Sequence, residues 1–507
     1  MPLSTSSSAP RDRVIASPLV DRPTLATAVI ASVGLVGATC VTWSSYTVGA
    51  LPGHEFSRAD ATGPYRWLYE AGVGLMLLAW LALGRLALDR TLTGMTRRVC
   101  WAAVAMAAPL LAAAPVNSQD VWYYLGQGNV VAHGLDPYAV GPNAVPGVYL
   151  DAVSPPWVGH TSPYGGWWVW ICRLVVGLVG PHPWAGMFVL RILAAASVAV
   201  MGLALVRLCR ATDARPEAAL WLTVAGPFPL LMLVGGIHND AEMLAGLTWG
   251  LVVAATGRSM WRSMVIAAVV VGAAATVKAP ALIALPFLPL VWYRYAPGSG
   301  KEGPAPTWPR WCVTAGVAVA VGVLTVVAIS MASGFGLGWI STAGMGTVGN
   351  GWLSVPHLVG SWLPHLVPGL GPDDLLSHPP ILRRIGGGFL VVTVGAVLLT
   401  AWRRPPLRVL AVVMLLLVVS DTAPRGWYLL WPLVVVACDL GPALLAGVAG
   451  ATAALALWFA PASHPPVPFL VLLALFVPLW GVAALVVRAA QGVPLVPGVP
   501  RAGSARV

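Results

Sequence analysis

Apolar blocks of roughly 15 to 25 residues recur along this chain from Thr24 to Val487, each long enough to cross the hydrocarbon core of a bilayer as a helix. Lipid offers no partners to unpaired backbone groups, so such blocks close their hydrogen bonds internally as helices and do not form open strands. The composition agrees, with 58% hydrophobic and only 9% charged residues, where a soluble domain carries about 25% charged. The sequence therefore specifies an all-α polytopic membrane protein.

About fourteen transmembrane helices are expected, at 24–48, 66–88, 98–115, 184–209, 216–235, 240–257, 262–277, 279–293, 311–333, 384–402, 407–420, 427–440, 441–460 and 467–487. Positive residues favour the cytoplasmic side. With the N-terminus inside, the inner loops receive Arg90, Arg97 and Arg98; Arg207, Arg210 and Arg215; Arg258 and Arg262; Arg294, Lys301 and Arg310; Arg403, Arg404 and Arg408; and Arg488, Arg501 and Arg506. This agreement requires that the apolar stretch 165–180 not cross the membrane. It is short, bounded by Pro163 and Pro181 and rich in Trp (Trp167, Trp168, Trp170), which favours the headgroup level, so it is read as an interfacial or re-entrant helix on the outer face.

Two long extracytoplasmic loops result, 116–183 and 334–383, and all nine histidines fall on the outer side. The expected organisation is a cytoplasmic disordered tail 1–23, an N-terminal transmembrane hairpin 24–97, a catalytic transmembrane module 98–440, C-terminal transmembrane helices 441–488 and a second cytoplasmic tail 489–507. The 295–310 loop is a flexible cytoplasmic connector. The net charge of +11 is scattered singly or in pairs at helix ends, a pattern of membrane orientation and not of nucleic-acid binding. Six dispersed cysteines form no CxxC pair and read as small buried hydrophobes, so no metal site is expected.

Charges at membrane depth are expensive, so each one beside a span is a functional candidate. Asp120 follows an outward-going span and precedes Trp122-Tyr123-Tyr124. It either accepts a proton from an attacking hydroxyl, with Gln119 beside it, or the segment opens an interfacial helix with Ser118 or Asp120 as its cap and Gln127 beyond. Gly134-Leu135-Asp136-Pro137-Tyr138 is a turn with an acidic centre, and Ser162-Pro163-Tyr164-Gly165 is a sugar-stacking turn or a helix entry. His238-Asn239-Asp240, with Glu242 one step further, holds more polar groups than a helix cap needs. Lys278, before Pro280, suits a lipid phosphate or snorkels to the interface. Arg425 lies on the outer side against the charge rule, before Trp427 and Tyr428; it grips phosphate, stacks on a ring, or pairs with Asp421. Arg383 and Arg384 are further outer cations with weaker claims, and Gly386-Gly387-Gly388 reads as close helix packing. There is no nucleotide-binding or metalloenzyme motif, and no internal duplication of the kind many transporters carry.

These strings have a known counterpart. Ser118-Gln119-Asp120-Val121, Gly134-Leu135-Asp136-Pro137-Tyr138, Gly235-Gly236-Ile237-His238-Asn239-Asp240, Val277-Lys278-Ala279-Pro280 and Trp427-Tyr428-Leu429-Leu430-Trp431, in this order, resemble the actinobacterial polyprenol-phosphomannose-dependent α-1,6-mannosyltransferases of the GT-C glycosyltransferase superfamily. The similarity runs over about residues 100–440. It implies a GT-C-type fold whose first outer loop is catalytic and carries interfacial helices. It also implies a polyprenyl-phosphomannose donor, a mannosylated phosphatidylinositol-type glycolipid acceptor and inversion at the anomeric carbon, as in synthesis of the lipomannan and lipoarabinomannan core. No nucleotide sugar, cofactor or nucleic acid is implied. Under the resemblance Asp120 becomes the general base, Lys278 or Arg425 holds the donor phosphate, and Gln119, Tyr123, Tyr124, Asp136, Tyr164, His238, Asn239, Asp240, Trp427 and Tyr428 line the substrate site. A transporter or flippase of a polyprenyl-linked glycan, and a GT-C enzyme using another polyprenyl-phosphate sugar, are the competing expectations.

Overall fold

The computed structural model describes residues 22–54, 63–297, 306–342, 353–367, 369, 378–401, 403–458 and 468–490, and among these it is helical with no strand. The expected tails (apart from their innermost residues), half of the 295–310 connector with Lys301, and part of the 334–383 loop lie outside the described residues. Helices α1 (Arg22–Val48), α2 (Pro64–Ala87) and α3 (Met95–Leu110) open the chain. The first outer loop folds into α4 (Asp120–Ala132), α5 (Val148–Ala152) and α6 (Gly166–Val179). Then follow α7 (Pro183–Ala211), α8 (Pro216–Leu222), α9 (Pro227–Pro229), α10 (Asp240–Thr256), α11 (Met260–Ala275), α12 (Leu288–Tyr295) and α13 (Trp308–Ala332). The remainder is α14 (Trp339–Thr342), α15 (Val355–Leu366), α16 (Pro379–Ala401), α17 (Pro406–Ser420), α18 (Leu430–Val436), α19 (Pro442–Trp458) and α20 (Pro468–Ala490).

Each expected span coincides with a helix or a pair of helices. Among the described residues, however, only five helices are long and apolar enough to cross a membrane alone: α1, α2, α7, α13 and α16. A sixth crossing arises if α8 and the segment Pro227–Gly235 are counted as one span bent by 53°. Most of the others, α3, α10, α11, α17 and α19 among them, are helices of 15–17 residues, and proline interrupts two further spans: Pro227 follows the turn at 223–225, and Pro280 opens a 3-10 helix, Ala279–Phe287, where a straight helix was expected. A ring at these positions removes a backbone donor and clashes with the preceding turn.

Small residues close the packing without a hydrophobic driving force between helices. A Cβ on Gly37 would meet Gly72 O at 2.6 Å, and one on Gly72 would meet Gly37 O at 2.6 Å, so α1 and α2 touch backbone to backbone. Between α2 and α8, Trp80 and Trp221 stack at 4.6 Å, and each indole N–H donates to the other's carbonyl at 2.7 Å. Both rings are fully buried, so these reciprocal bonds satisfy two donors that would otherwise be costly.

In the first outer loop, α4 is buried from Val121 to Val131 and packs against α6 and α7. The helix at the disputed stretch is α6, with Trp168 buried and Trp167 exposed. Of the four glycines in α16, only Gly386 is a close contact, against Ser420 O; Gly387, Gly388 and Gly395 face open space.

Candidate active site

Three chain segments that end in polar residues converge on Asp120. The first is the linker from α3, which turns at Asn117 (φ 61°) before α4 begins. Ser118 Oγ accepts the Asp120 N–H at 3.2 Å in a turn at the helix entry, and the Asp120 carboxylate is left to face the site. The second is the broken helix: Leu230–Gly235 widens into a π-helical turn, and Ile237 at φ 57° swings the chain to His238. A β-branched residue in the left-handed region costs about 1–3 kcal/mol, a strain that the surrounding packing has to hold. The third is the Thr276–Ala279 step that presents Lys278.

Asp120 Oδ2 lies 3.3 Å from Nδ1 of His238 and 3.4 Å from the Tyr124 hydroxyl. His238 is fully buried, and its ring stacks on Trp427 at 3.9 Å. The Tyr124 hydroxyl also reaches Asn239 Oδ1 at 3.4 Å, joining α4 to the His238-Asn239-Asp240 turn. About a quarter of the Asp120 side chain stays exposed. Burial opposes ionisation of this carboxyl, but the His238 imidazole 3.3 Å away, with the charges of Lys278 and Arg425 behind it, outweighs that penalty and holds Asp120 below the usual carboxylate range.

The cations are placed differently. Lys278 Nζ bonds Asp240 Oδ2 at 2.7 Å and lies 4.6 Å above the Tyr428 ring and 5.7 Å from that of Trp431. Asp240 is fully buried, and its other oxygen accepts the Trp431 indole N–H at 2.5 Å. Tyr428 and Trp431 stack on each other at 4.4 Å. Arg425 lies 5.8 Å above the Trp157 ring, so a residue after α17 reaches the first outer loop. Beside Tyr428 and Trp431, between α16 and α17, opens a cavity of about 230 Å³ with Pro280, Gly387 and Leu390 in its walls.

Tyr123, Tyr124 and Tyr164 form one aromatic wall: Tyr124 meets Tyr164 edge-on at 5.2 Å, and the Tyr123 hydroxyl donates to Thr161 O at 2.9 Å. Burial, then the charge of Asp120, push the Tyr123 and Tyr164 hydroxyls upward, so both stay protonated donors. Two expected members stand apart. Asp136 is exposed and accepts the Tyr138 N–H at 2.8 Å, which makes it a turn residue. Gln119 points its amide to the carbonyls of Leu51 and His54 after α1. Glu242 has both carboxylate oxygens buried without a hydrogen bond, apart from the network around Asp240. Sequence reasoning missed Trp157, and Trp431 as the partner of Asp240.

Fold and site together define a polytopic helical membrane protein with a carboxylate, an imidazole and two cations gathered where several apolar helices end. The family model for "alpha-(1->6)-mannopyranosyltransferase, N-terminal domain" matches residues 31–294, over half of the chain. An alpha-(1->6)-mannopyranosyltransferase A of Mycobacterium tuberculosis is 36% identical over 376 residues, covering 73% of this chain and 70% of that protein. The Corynebacterium glutamicum protein of the same name is 31% identical over 65% of this chain and 69% of its own length. Alpha-(1->6)-mannopyranosyltransferase B of Corynebacterium glutamicum is 29% identical over 79% and 71%. No solved structure matches the chain. The chain belongs to the α-(1→6)-mannopyranosyltransferase family.

Proposed function

We propose that this protein transfers mannose from a polyprenyl-phosphomannose donor to a mannosylated glycolipid in α-1,6 linkage, on the extracytoplasmic face of the plasma membrane. The observation that carries the reading is the partly exposed Asp120 carboxylate, kept ionised by His238 with Lys278 and Arg425 nearby. Asp120 takes the proton of the acceptor hydroxyl as that oxygen attacks the anomeric carbon. The bond from that carbon to the phosphate oxygen breaks, its electron pair leaves with the polyprenyl phosphate, and the configuration inverts. Because the departing group is already a stable anion, one base and cationic stabilisation suffice, unlike the paired carboxylates of glycoside hydrolysis.

Arg425, held over the Trp157 ring of the first outer loop, and Lys278, paired with Asp240, are the two candidates for the donor phosphate. The cavity beside Tyr428 and Trp431, between α16 and α17, has an apolar side of Leu390, Leu417 and Val418 that suits the first isoprene units of the donor. The aromatic wall of Tyr124 and Tyr164 takes the acceptor mannose. Fourteen crossings with both termini cytoplasmic remain the topology proposed. In support, Arg90, Arg215 and Arg408, drawn from three separate inner-loop clusters, line one common cavity.

The test is a membrane assay with labelled polyprenyl-phosphomannose and a short α-mannoside acceptor. Replacing Asp120→Asn is expected to lower kcat by about 10²–10⁴, with the protein still expressed and folded. Full activity of the Asn variant would remove Asp120 as the base.

A further inference from the structure

Arg191 lies in α7, a helix long and apolar enough to span the membrane, and its side chain is completely buried. Its guanidinium is met by main-chain oxygens from two distant segments. Nε donates to Val234 O at 3.3 Å and Nη2 to Gly235 O at 3.4 Å. Nη1 donates to Leu111 O at 3.4 Å and also to Ala113 O. The first pair of carbonyls belongs to the π-helical turn that ends three residues before His238. The second belongs to the linker that leads from α3 into Asp120. The same two segments are also joined directly, by the Val116 N–H to Gly235 O at 2.9 Å. Each then passes through a residue at positive φ, Asn117 in one and Ile237 in the other, before reaching its functional side chain.

We infer that Arg191 is the positioning residue of this site: one guanidinium sets the separation of Asp120 and His238 by clamping the backbones that carry them. The planar fork with five N–H donors is what such a clamp requires, because a lysine ammonium has three donors radiating from one atom. Carbonyl oxygens at the two frayed helix ends are the acceptors that a membrane interior leaves in need of partners. Arg191 touches no reacting group. It acts through the alignment of the pair, and the inference rests on Asp120 being the base.

The test compares the purified wild-type protein with Arg191→Lys and Arg191→Gln in detergent, each normalised to folded protein by size exclusion and thermal melting. The glutamine variant keeps two N–H donors without burying a charge, so it remains informative if the lysine variant fails to fold. In whichever variant folds, kcat is expected to fall at least 30-fold, with the KM of donor and acceptor within about twofold of wild type. The acid limb of the pH–kcat profile is expected to move upward as His238 withdraws from Asp120. Wild-type kcat and an unmoved acid limb in a folded variant would overturn the inference. So would failure of both variants to fold, which would make Arg191 a stability element alone. If Asp120→Asn proves fully active, the functional reading itself falls; if that variant is inactive while a folded Arg191 variant is normal, only the clamp falls.

Discussion

At the scale of single residues, His238 governs the charge state of the proposed base. Its ring is fixed by stacking on Trp427 and its Nδ1 sits 3.3 Å from Asp120. A carboxylate with a depressed pKa is ionised, and therefore competent as a base, at every pH above that lowered value; activity is lost only as pH falls through it. His238→Gln removes the strongest of the influences that lower it. The acid limb of the pH–kcat profile is expected to shift upward, toward neutrality, and an unmoved limb would separate His238 from the charge of Asp120. Asp120, His238, Asp240 and Lys278 were legible in the sequence because each is a polar group where an apolar run ends, and such groups are rare in a chain with 9% charge. Trp157 and Trp431 were not. With 24 tryptophans in the chain, residue type alone does not distinguish a ring lying under a cation from one at a lipid surface.

At the scale of elements, the ion pair of Lys278 and Asp240 ties the step after α11 to the start of α10. Both side chains are largely withdrawn from solvent, so removing one partner leaves a buried charge uncompensated, at a cost of about 3–5 kcal/mol. Lys278→Ala is expected to lower the melting temperature in detergent markedly, and Lys278→Ala combined with Asp240→Asn to recover much of that loss. If Lys278 also touches the donor phosphate, the double variant keeps a donor KM raised at least tenfold while its stability returns. Recovery of both quantities would confine Lys278 to a structural role. The elements themselves followed from hydropathy with good registration, since every expected span meets a helix. The breaks did not follow as well. The sequence reading carried 216–235 and 279–293 as continuous spans although each contains proline, because apolar length was allowed to outweigh the missing N–H. The turns that present the site's polar groups lie beside those breaks, at Ile237 before His238 and at the step that carries Lys278 to Asp240.

For the whole molecule, the proposed topology places the Asp120 end outside and the cavity lined by Arg90, Arg215 and Arg408 inside. Single cysteines at the exposed positions Asp136 and Arg90, in a background lacking Cys100 and Cys312, provide the check. An impermeant maleimide added to intact cells is expected to label Asp136→Cys and to spare Arg90→Cys until the membrane is opened. Labelling in the reverse order would invert the arrangement and put the proposed site on the cytoplasmic side. Ser162, although it lies in the same loop, is fully buried and unsuited to labelling.

Residue order and hydropathy already say that the chain crosses lipid as helices, which side its arginines favour, and that polar groups collect at one set of helix ends. These are properties of composition and spacing, because burial in hydrocarbon penalises each residue according to its own chemistry. Packing between distant segments is what buries α4 of the long polar loop and leaves Asp136 to a turn while Asp120 meets His238. The tertiary structure alone showed Arg191, a charge within an apolar run that the sequence reading passed over, joining the backbones that carry the pair. Such pairings bring together groups 38 to 191 positions apart in the chain, as with Asp240 and its partners Lys278 and Trp431. No local pattern encodes which distant carbonyl or carboxylate a side chain will meet, since that depends on how close the intervening helices pack.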